Sequence, residues 1–144
     1  MLFRSVEYAI ELWGSYQVTP IWRLNAGFNR LRQELKLTPY SIDIGTLESD
    51  EGANPSRWGI LRSSLDLGPR TELDLTLRYV DALAQPVVPS YTALDLRLGW
   101  QLRSNVDLSI VGQNLMGAGH GEFTDITTRT DLKRAVFVKV VCKL

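Results

Sequence analysis

Apolar and polar residues alternate along seven segments of the chain. Between Val6 and Val18, for example, apolar side chains occupy nearly every second position, and glutamate, serine and glutamine fill most of the positions between them. Successive side chains of a β-strand point to opposite faces, so each segment is predicted to be a strand with one apolar and one polar face. The seven predicted strands are residues 6–18, 22–35, 57–67, 71–80, 91–101, 105–115 and 134–144.

The connections between the predicted strands alternate between short and long. The short turns contain Pro20, then Gly68 and Pro69, then Ser104, while the long loops cover about 36–56, 81–90 and 116–133. Short turns on one rim, long loops on the other and strands of mostly about 10–13 residues are typical of transmembrane β-barrels. We therefore predict an all-β fold, an antiparallel up-and-down meander of about seven strands that is part of a transmembrane β-barrel.

Composition excludes several functional classes. The chain contains no run of about 18 apolar residues, which excludes a transmembrane helix. It has 16 basic and 16 acidic residues and a formal net charge of zero, which argues against a general nucleic-acid binder. Cys142 is the single cysteine, so no disulfide can form within the chain.

The odd number of strands predicts that the chain is one portion of a larger barrel. Seven antiparallel strands put their two ends on opposite rims, whereas single-chain bacterial barrels have an even number of strands and about eight at the least. The first residues also lack the apolar segment and cleavage site of a secretory signal. We expect residues 1–144 to be a C-terminal segment that earlier strands precede.

Several stretches, in collinear order, resemble the end of a TonB-dependent outer-membrane receptor. VEYAIELWGSYQVTPIWRLNAGF resembles the family's paired strands around a P-x-W-x-L turn, and LRSSLDLGPRTELDLTLRYVDAL follows it. PSYTALDLRLGWQL precedes NVDLSIVGQNLMGAGHGEF, whose GQNL segment resembles the xNL element before the family's last long loop. RAVFVKVVCKL resembles the closing strand, which in the family usually ends in Phe and here ends in Leu144.

This resemblance implies a receptor barrel of about 22 strands with an N-terminal plug, which the chain itself does not contain. It implies import of a siderophore, vitamin B12 or a similar nutrient across the outer membrane of a Gram-negative bacterium. The implied partners are outer-membrane lipid, the plug and the other strands of the receptor, with TonB acting indirectly through the plug. Neither a cofactor nor a nucleic-acid partner is implied.

The charged residues of the polar faces are the candidate functional residues. If the apolar faces meet lipid, these residues face the lumen, where they line it and hold the plug, or pair across strands and keep the wall folded. The lumen-facing candidates are Glu7, Glu11, Arg23, Arg62, Asp66, Asp74, Arg78, Asp95, Arg97, Asp107 and Lys139. The outward face of the closing strand is predicted to be Val136, Val138, Val140, Cys142 and Leu144.

We predict no enzymatic activity and no metal site. His120 is the only histidine, and we interpret it as a solvated residue of the last long loop, because a metal site needs several ligands. The acidic run at 48–51 is interpreted as part of another solvated loop. The sequence contains no G-x-S-x-G motif, no P-loop, and no G-x-G-x-x-G in a strand–helix context.

The alternation alone does not exclude one alternative fold. A soluble, lipocalin-like barrel that binds a small ligand or partner has the same period of two, with its apolar face inside and its polar face in water. Strand length, the loop pattern and the family resemblance favour the membrane barrel. Aromatic residues near the strand ends also fit an interfacial belt; they are Trp22, Trp58, Tyr79, Tyr91 and Trp100.

Overall fold

The computed structural model describes residues 3–37, 54–84, 87–117, 119–121 and 131–143. One antiparallel sheet contains seven strands in the order β1-β2-β3-β4-β5-β6-β9, and two short strands, β7 and β8, pair with each other. The strands are β1 (Phe3–Thr19), β2 (Trp22–Leu37), β3 (Arg57–Gly68), β4 (Thr71–Val80), β5 (Tyr91–Arg103), β6 (Val106–Gln113), β7 (His120–Gly121), β8 (Asp131–Leu132) and β9 (Ala135–Cys142). The predicted seven-stranded meander is confirmed.

The strand bounds differ from the prediction mainly at the ends. β1 begins at Phe3 rather than Val6, because its first residues continue the ladder with the end of β2. β6 ends at Gln113 rather than Leu115, because the next residue, Asn114, has a φ of 53° and leaves the extended conformation. β1 and β2, with 17 and 16 residues, are the longest strands of the sheet.

Three tight turns share one geometry. Each turn has two residues, and in each hairpin the register shifts by one residue just before it, at Val18, Leu67 and Leu102. Such a β-bulge changes which side chains are opposite each other. Because of the bulge at Val18, Tyr16 lies opposite Leu24 rather than Asn25. The bulges therefore keep the apolar face of one strand continuous with that of the next.

The turns also connect neighbouring hairpins. The backbone amide of Asp66 donates to the carbonyl of Ile21 at 2.8 Å, and that of Gln101 donates to the carbonyl of Arg70 at 2.8 Å. The amide of Lys143 donates to the carbonyl of Asn105 at 2.9 Å. The second residue of each of these three turns thus accepts a hydrogen bond from the end of the strand that neighbours its hairpin in the sheet. These bonds join neighbouring hairpins along the short-turn rim.

The two faces of the sheet differ in burial. The apolar face is exposed, with 69% of the surface of both Tyr16 and Val136 accessible, and no second sheet covers it within the described residues. Among the strand residues that are buried, most lie on the polar face, including Ala93 (0% exposed) and Ser109 (5%). The crowded side of the sheet is therefore its polar face. Separately, none of the described residues belongs to a helix that could cross a membrane.

Candidate functional site: the polar face of the sheet

The strand registers place all eleven charged candidates on one face, called here the polar face. Its positions are the odd-numbered residues of β1, β2, β5, β6 and β9 and the even-numbered residues of β3 and β4. The candidates on it are Glu7, Glu11, Arg23, Arg62, Asp66, Asp74, Arg78, Asp95, Arg97, Asp107 and Lys139. Val136, Val138, Val140 and Cys142 lie on the opposite, apolar face, and Leu144 lies outside the described residues.

Arg97 is the centre of a three-residue charge cluster on β4 and β5. Its Nη1 donates to Asp74 at 2.7 Å and to Glu72 at 3.1 Å. The guanidinium reaches Glu72 by lying across Gly99, where an added Cβ would come within 2.7 Å of Arg97 Nη2. Gly99 therefore provides the room for this contact. Glu72 is a cluster member that the sequence did not single out.

Asp95 joins three parts of the polar face. It accepts hydrogen bonds from Arg78 Nη2 at 3.3 Å and from the backbone amide of Asn114 at 2.9 Å. The side-chain Nδ2 of Asn114 in turn donates to the carbonyl of Leu132 at 2.6 Å. Asn114, in the GQNL segment, thus ends β6 and holds β8 near it. The motif has a structural role that spacing alone did not reveal.

A cavity of about 670 Å³ opens at the short-turn rim. Its charged lining includes Glu72, Arg97, Asp107 and Lys143, of which Lys143 Nζ contacts Asp107 at 3.0 Å. Lys143 was not among the predicted candidates, although it lies in the predicted strand 134–144, on the same side of the alternation as Lys139. The lining also contains Asp66 and Arg70, so its three acids are balanced in number by three cations.

A second cavity lies against β1, β2 and β3 and has a volume of about 490 Å³. It is lined in part by Trp13, Asn25 and Arg62. Trp13 packs edge-on against Trp58, with ring centroids 6.1 Å apart, and lies across Gly27, where a Cβ would come within 2.6 Å of the ring. This cavity therefore combines one aromatic side chain, Trp13, with the cation of Arg62.

Four candidates make no ion pair or hydrogen bond through their side chains in the part of the chain that the structure describes: Glu11, Arg62, Asp66 and Lys139. Arg23 contacts Gln17 rather than an acid, with Nε 3.2 Å from Oε1. The ion pairs among the candidates thus lie on β4 to β6, whereas Glu7 on β1 accepts a hydrogen bond from Gln33 Nε2 at 3.0 Å. The candidates that form an ion pair are Asp74, Arg78, Asp95, Arg97 and Asp107.

The aromatic belt prediction was wrong for two of its five residues. Trp58 and Tyr91 lie on the polar face, so they cannot belong to a belt on the apolar face. Trp22, Tyr79 and Trp100 do lie on the apolar face, where Trp22 Nε1 donates to Ser63 Oγ at 2.9 Å. The prediction used only the distance of each aromatic residue from a strand end. That distance does not determine the face of the sheet on which the side chain lies.

Asp81 is the centre of a hydrogen-bonded group at the long-loop rim. Its Oδ2 accepts from Arg57 Nε at 3.0 Å and from Ser56 Oγ at 2.9 Å, and its Oδ1 accepts from Tyr79 at 3.2 Å. The hydrogen bond from Arg57, followed by that from Ser56, lowers the pKa of Asp81 below its ordinary value. These contacts tie the end of β4 to the start of β3.

The lowered pKa of Asp81 predicts a pH-dependent contribution to stability. Its carboxylate stabilises the fold fully above the ordinary aspartate pKa of about 3.9, and this contribution is lost as pH falls through the lower pKa of the folded state. We expect wild type to be more stable than Asp81→Asn at pH 7 and the difference to disappear in acid. Unfolding titrations of both proteins in detergent between pH 7 and pH 2 measure this. A difference that grows on acidification would contradict the assignment.

Both His120 and the acidic run at 48–51 were predicted to lie in solvated loops, and the structure describes only the backbone of the first. The backbone of His120 pairs with Leu132 in the β7–β8 pair, so the residue lies in a local hairpin within the last long connection. The run at 48–51 lies outside the described residues. Within the described residues, no group of three or more histidine, cysteine, aspartate or glutamate side chains could hold a metal ion.

Comparison with known proteins identifies the fold. No family model and no curated protein matches the sequence. Among solved structures, the chain is similar to the ferric-catecholate import receptor Fiu from E. coli K12 in its closed form, with a TM-score of 0.70 over 90% of this chain. The chain has the backbone fold of one part of this receptor.

The similarity to Fiu concerns the course of the backbone. The two sequences are 15% identical, and the chain spans about a fifth of the Fiu chain, 20% of its length. This agreement confirms the predicted fold class, an antiparallel meander like that in the wall of an outer-membrane receptor barrel. At this identity the roles of individual side chains follow from their own contacts.

Proposed function

We propose that this chain forms part of the wall of an outer-membrane nutrient receptor, with its polar face on the lumen and its apolar face on lipid. The observation that carries the proposal is that all eleven charged candidates lie on one face, while the opposite face presents uncovered apolar side chains. A strand that separates lipid from a polar lumen needs this division. The role is transport rather than catalysis.

Burial supports this orientation over the soluble barrel. A lipocalin-like barrel encloses its apolar side chains, so these should be the buried ones. Here Ile10, Leu12 and Val138 are 55%, 61% and 64% exposed, whereas Ala93 on the polar face is fully buried. Side chains crowd on the inner side of a curved sheet, which favours the polar face as the inner one.

The charges of the polar face have two proposed roles. The pairs made by Arg97, Arg78 and Lys143 neutralise the wall and fix the alignment of neighbouring strands. The unpaired Glu11 and Arg62 are available to the plug or to the nutrient. Because Fiu is a ferric-catecholate import receptor, an iron–siderophore complex is the nutrient class we favour.

In this proposal the chain is the C-terminal part of the receptor. The plug and further strands complete the barrel, TonB acts through the plug, and the location is the outer membrane of a Gram-negative bacterium. The likeness to Fiu, of which this chain covers 20%, supports a chain that forms one part of a larger receptor.

The orientation of the two faces can be measured with spin labels. In a Cys142→Ser background, single cysteines at Leu75 and Leu96 mark the apolar face, and single cysteines at Ser64 and Thr76 mark the polar face. In lipid vesicles we expect labels at the first pair to collide mainly with oxygen, which concentrates in lipid. Labels at the second pair should collide mainly with a water-soluble nickel complex. The reverse pattern would support the soluble barrel and overturn the proposal.

A further inference from the structure

The polar face of β1, β2 and β3 carries a row of three side chains that lie directly opposite one another. Glu11 is paired with Asn29, and Asn29 is paired with Trp58. Adjacent strands are about 4.8 Å apart, so the row spans roughly 10 Å from the first strand to the third. Trp13 is the next residue of β1 on the same face, toward the short-turn rim. These four residues, called here the Glu11 corner, bring an acid, an amide and two indole rings together.

The two indole rings of the Glu11 corner are arranged so that one ring face stays open. The Trp13 and Trp58 ring centroids are 6.1 Å apart and the ring planes differ by 66°. Trp13 lies across Gly27, so one face of its ring covers the sheet. Since 65% of the Trp13 surface remains accessible, the other face of the ring is exposed. An exposed indole face attracts cations, because the ring quadrupole is negative above and below its plane.

The polar groups of the Glu11 corner are not used by other side chains of the described residues. Asn29 is only 7% exposed, and within those residues its side-chain amide makes no hydrogen bond, whereas buried amides normally have a partner. The carboxylate of Glu11 contacts no cation there either. On the polar face of these strands the nearest arginine, Arg62, lies two same-face positions beyond Trp58, toward the short-turn rim. The corner therefore offers a ligand an unneutralised carboxylate and an unused amide.

We propose that the Glu11 corner binds a small organic cation that carries an alkylammonium group. The carbon atoms next to the ammonium nitrogen lie on the open face of Trp13, and the positive charge faces the carboxylate of Glu11 and the amide oxygen of Asn29. This arrangement combines cation–π attraction with charge pairing. An anion would be repelled by Glu11, and a neutral solute would leave the carboxylate unpaired. The site itself requires only that the polar face meets water, and its use by a nutrient rests on the proposed function.

Choline and 3,3-dimethylbutan-1-ol test the requirement for charge, because the two molecules have the same shape and only choline is a cation. Titration calorimetry measures the binding of each to the whole chain in micelles of an uncharged maltoside detergent. We expect choline to bind and the neutral alcohol to bind about tenfold more weakly. Equal binding of the two molecules would show that the corner recognises only apolar shape, and would overturn the proposal.

Two glutamine variants of β1 carry the same change in charge. Glu11→Gln removes the carboxylate of the corner, and Glu7→Gln removes an acid on the same face that accepts a hydrogen bond from Gln33. We expect Glu11→Gln to weaken choline binding about tenfold and Glu7→Gln to leave it unchanged. Trp13→Leu should weaken binding about fivefold, and Trp13→Phe, which keeps an aromatic ring, should weaken it less. Circular dichroism of each variant checks that its strand content equals that of wild type.

Equal weakening by the two glutamine variants, or none by Glu11→Gln, would overturn the site. A second arm compares an iron–siderophore complex that ends in a primary amine with the same complex after acetylation of that amine. Binding that is lost on acetylation and in Glu11→Gln assigns the site to the nutrient, whereas binding of choline alone assigns it to a free solute. A label at Leu75 in lipid vesicles tests the proposed function separately. If it reports water while choline binding depends on Glu11, only the proposed function fails; if it reports lipid while Glu11→Gln binds choline normally, only this inference fails.

Discussion

Replacing Leu75 by arginine is expected to lower the free energy of unfolding in lipid vesicles by about 2–4 kcal/mol, the cost of a cation near the middle of the lipid-facing surface of a barrel. Leu75 lies in the middle of β4 on the apolar face, opposite Ser63 on one side and Leu96 on the other. None of these neighbours can neutralise an added charge. Denaturant titration of the vesicle-inserted chain measures the change.

Thr76→Arg is the matched control, because it introduces the same side chain one residue further along β4. Thr76 points to the polar face, where its neighbours across the strands are Arg62 and Asp95. In the proposed orientation the new arginine meets a wet lumen and one acid, so we expect a much smaller decrease in stability. Equal decreases for the two variants would remove the basis for assigning one face to lipid.

Asp95→Ala is expected to destabilise the fold by about 1–3 kcal/mol, the cost of leaving hydrogen-bonding groups without partners in a crowded region. The substitution removes the acceptor of both Arg78 and the backbone amide of Asn114. Because Asn114 also holds the carbonyl of Leu132, the β7–β8 pair should loosen as well. Urea titration measures the first effect, and amide hydrogen exchange at Leu132 measures the second.

Two variants make the Asp95 experiment specific. Asp95→Asn keeps an oxygen that can accept from the Asn114 amide, so we expect it to preserve the exchange protection near β8 while removing the ion pair with Arg78. Asp66→Ala removes an acid whose side chain has no described partner and should change stability little. If Asp66→Ala were as damaging as Asp95→Ala, the cost would come from removing any acid rather than from the hydrogen bonds of Asp95.

Alternation was sufficient to predict the seven strands and the face of every charged candidate, because both depend only on a period of two. It could not predict the pairs between strands. Arg97 lies opposite Asp74 in the β4–β5 ladder, which has no bulge and whose strands are joined by the connection at 81–90 rather than by a tight turn. A shift of this ladder by one residue would give both side chains different partners, and a period of two does not specify the register.

Two further features could not be predicted because each depends on the conformation or the face of a single residue. Asn114 adopts a positive φ, which its residue type permits but does not require, so its contacts with Asp95 and Leu132 appear only in the structure. Trp58 was predicted for the belt because it is close to a strand end. Its partners across the sheet, Asn29 and Val80, put it on the polar face instead.

The three two-residue turns also determine the order in which the sheet can form. Each joins strands that are adjacent in the chain, so β1–β2, β3–β4 and β5–β6 can each form as an independent hairpin. Hairpins form in roughly 1–10 μs in water. Joining the units requires closing the longer connections, at an added entropic cost of about 0.6 kcal/mol per doubling of loop length. The carbonyls of Ile21, Arg70 and Asn105, which accept from the next strand, form their bonds only at that second step. The rim is therefore the last part of the wall to become protected, and its amides report the docking of preformed hairpins rather than their formation.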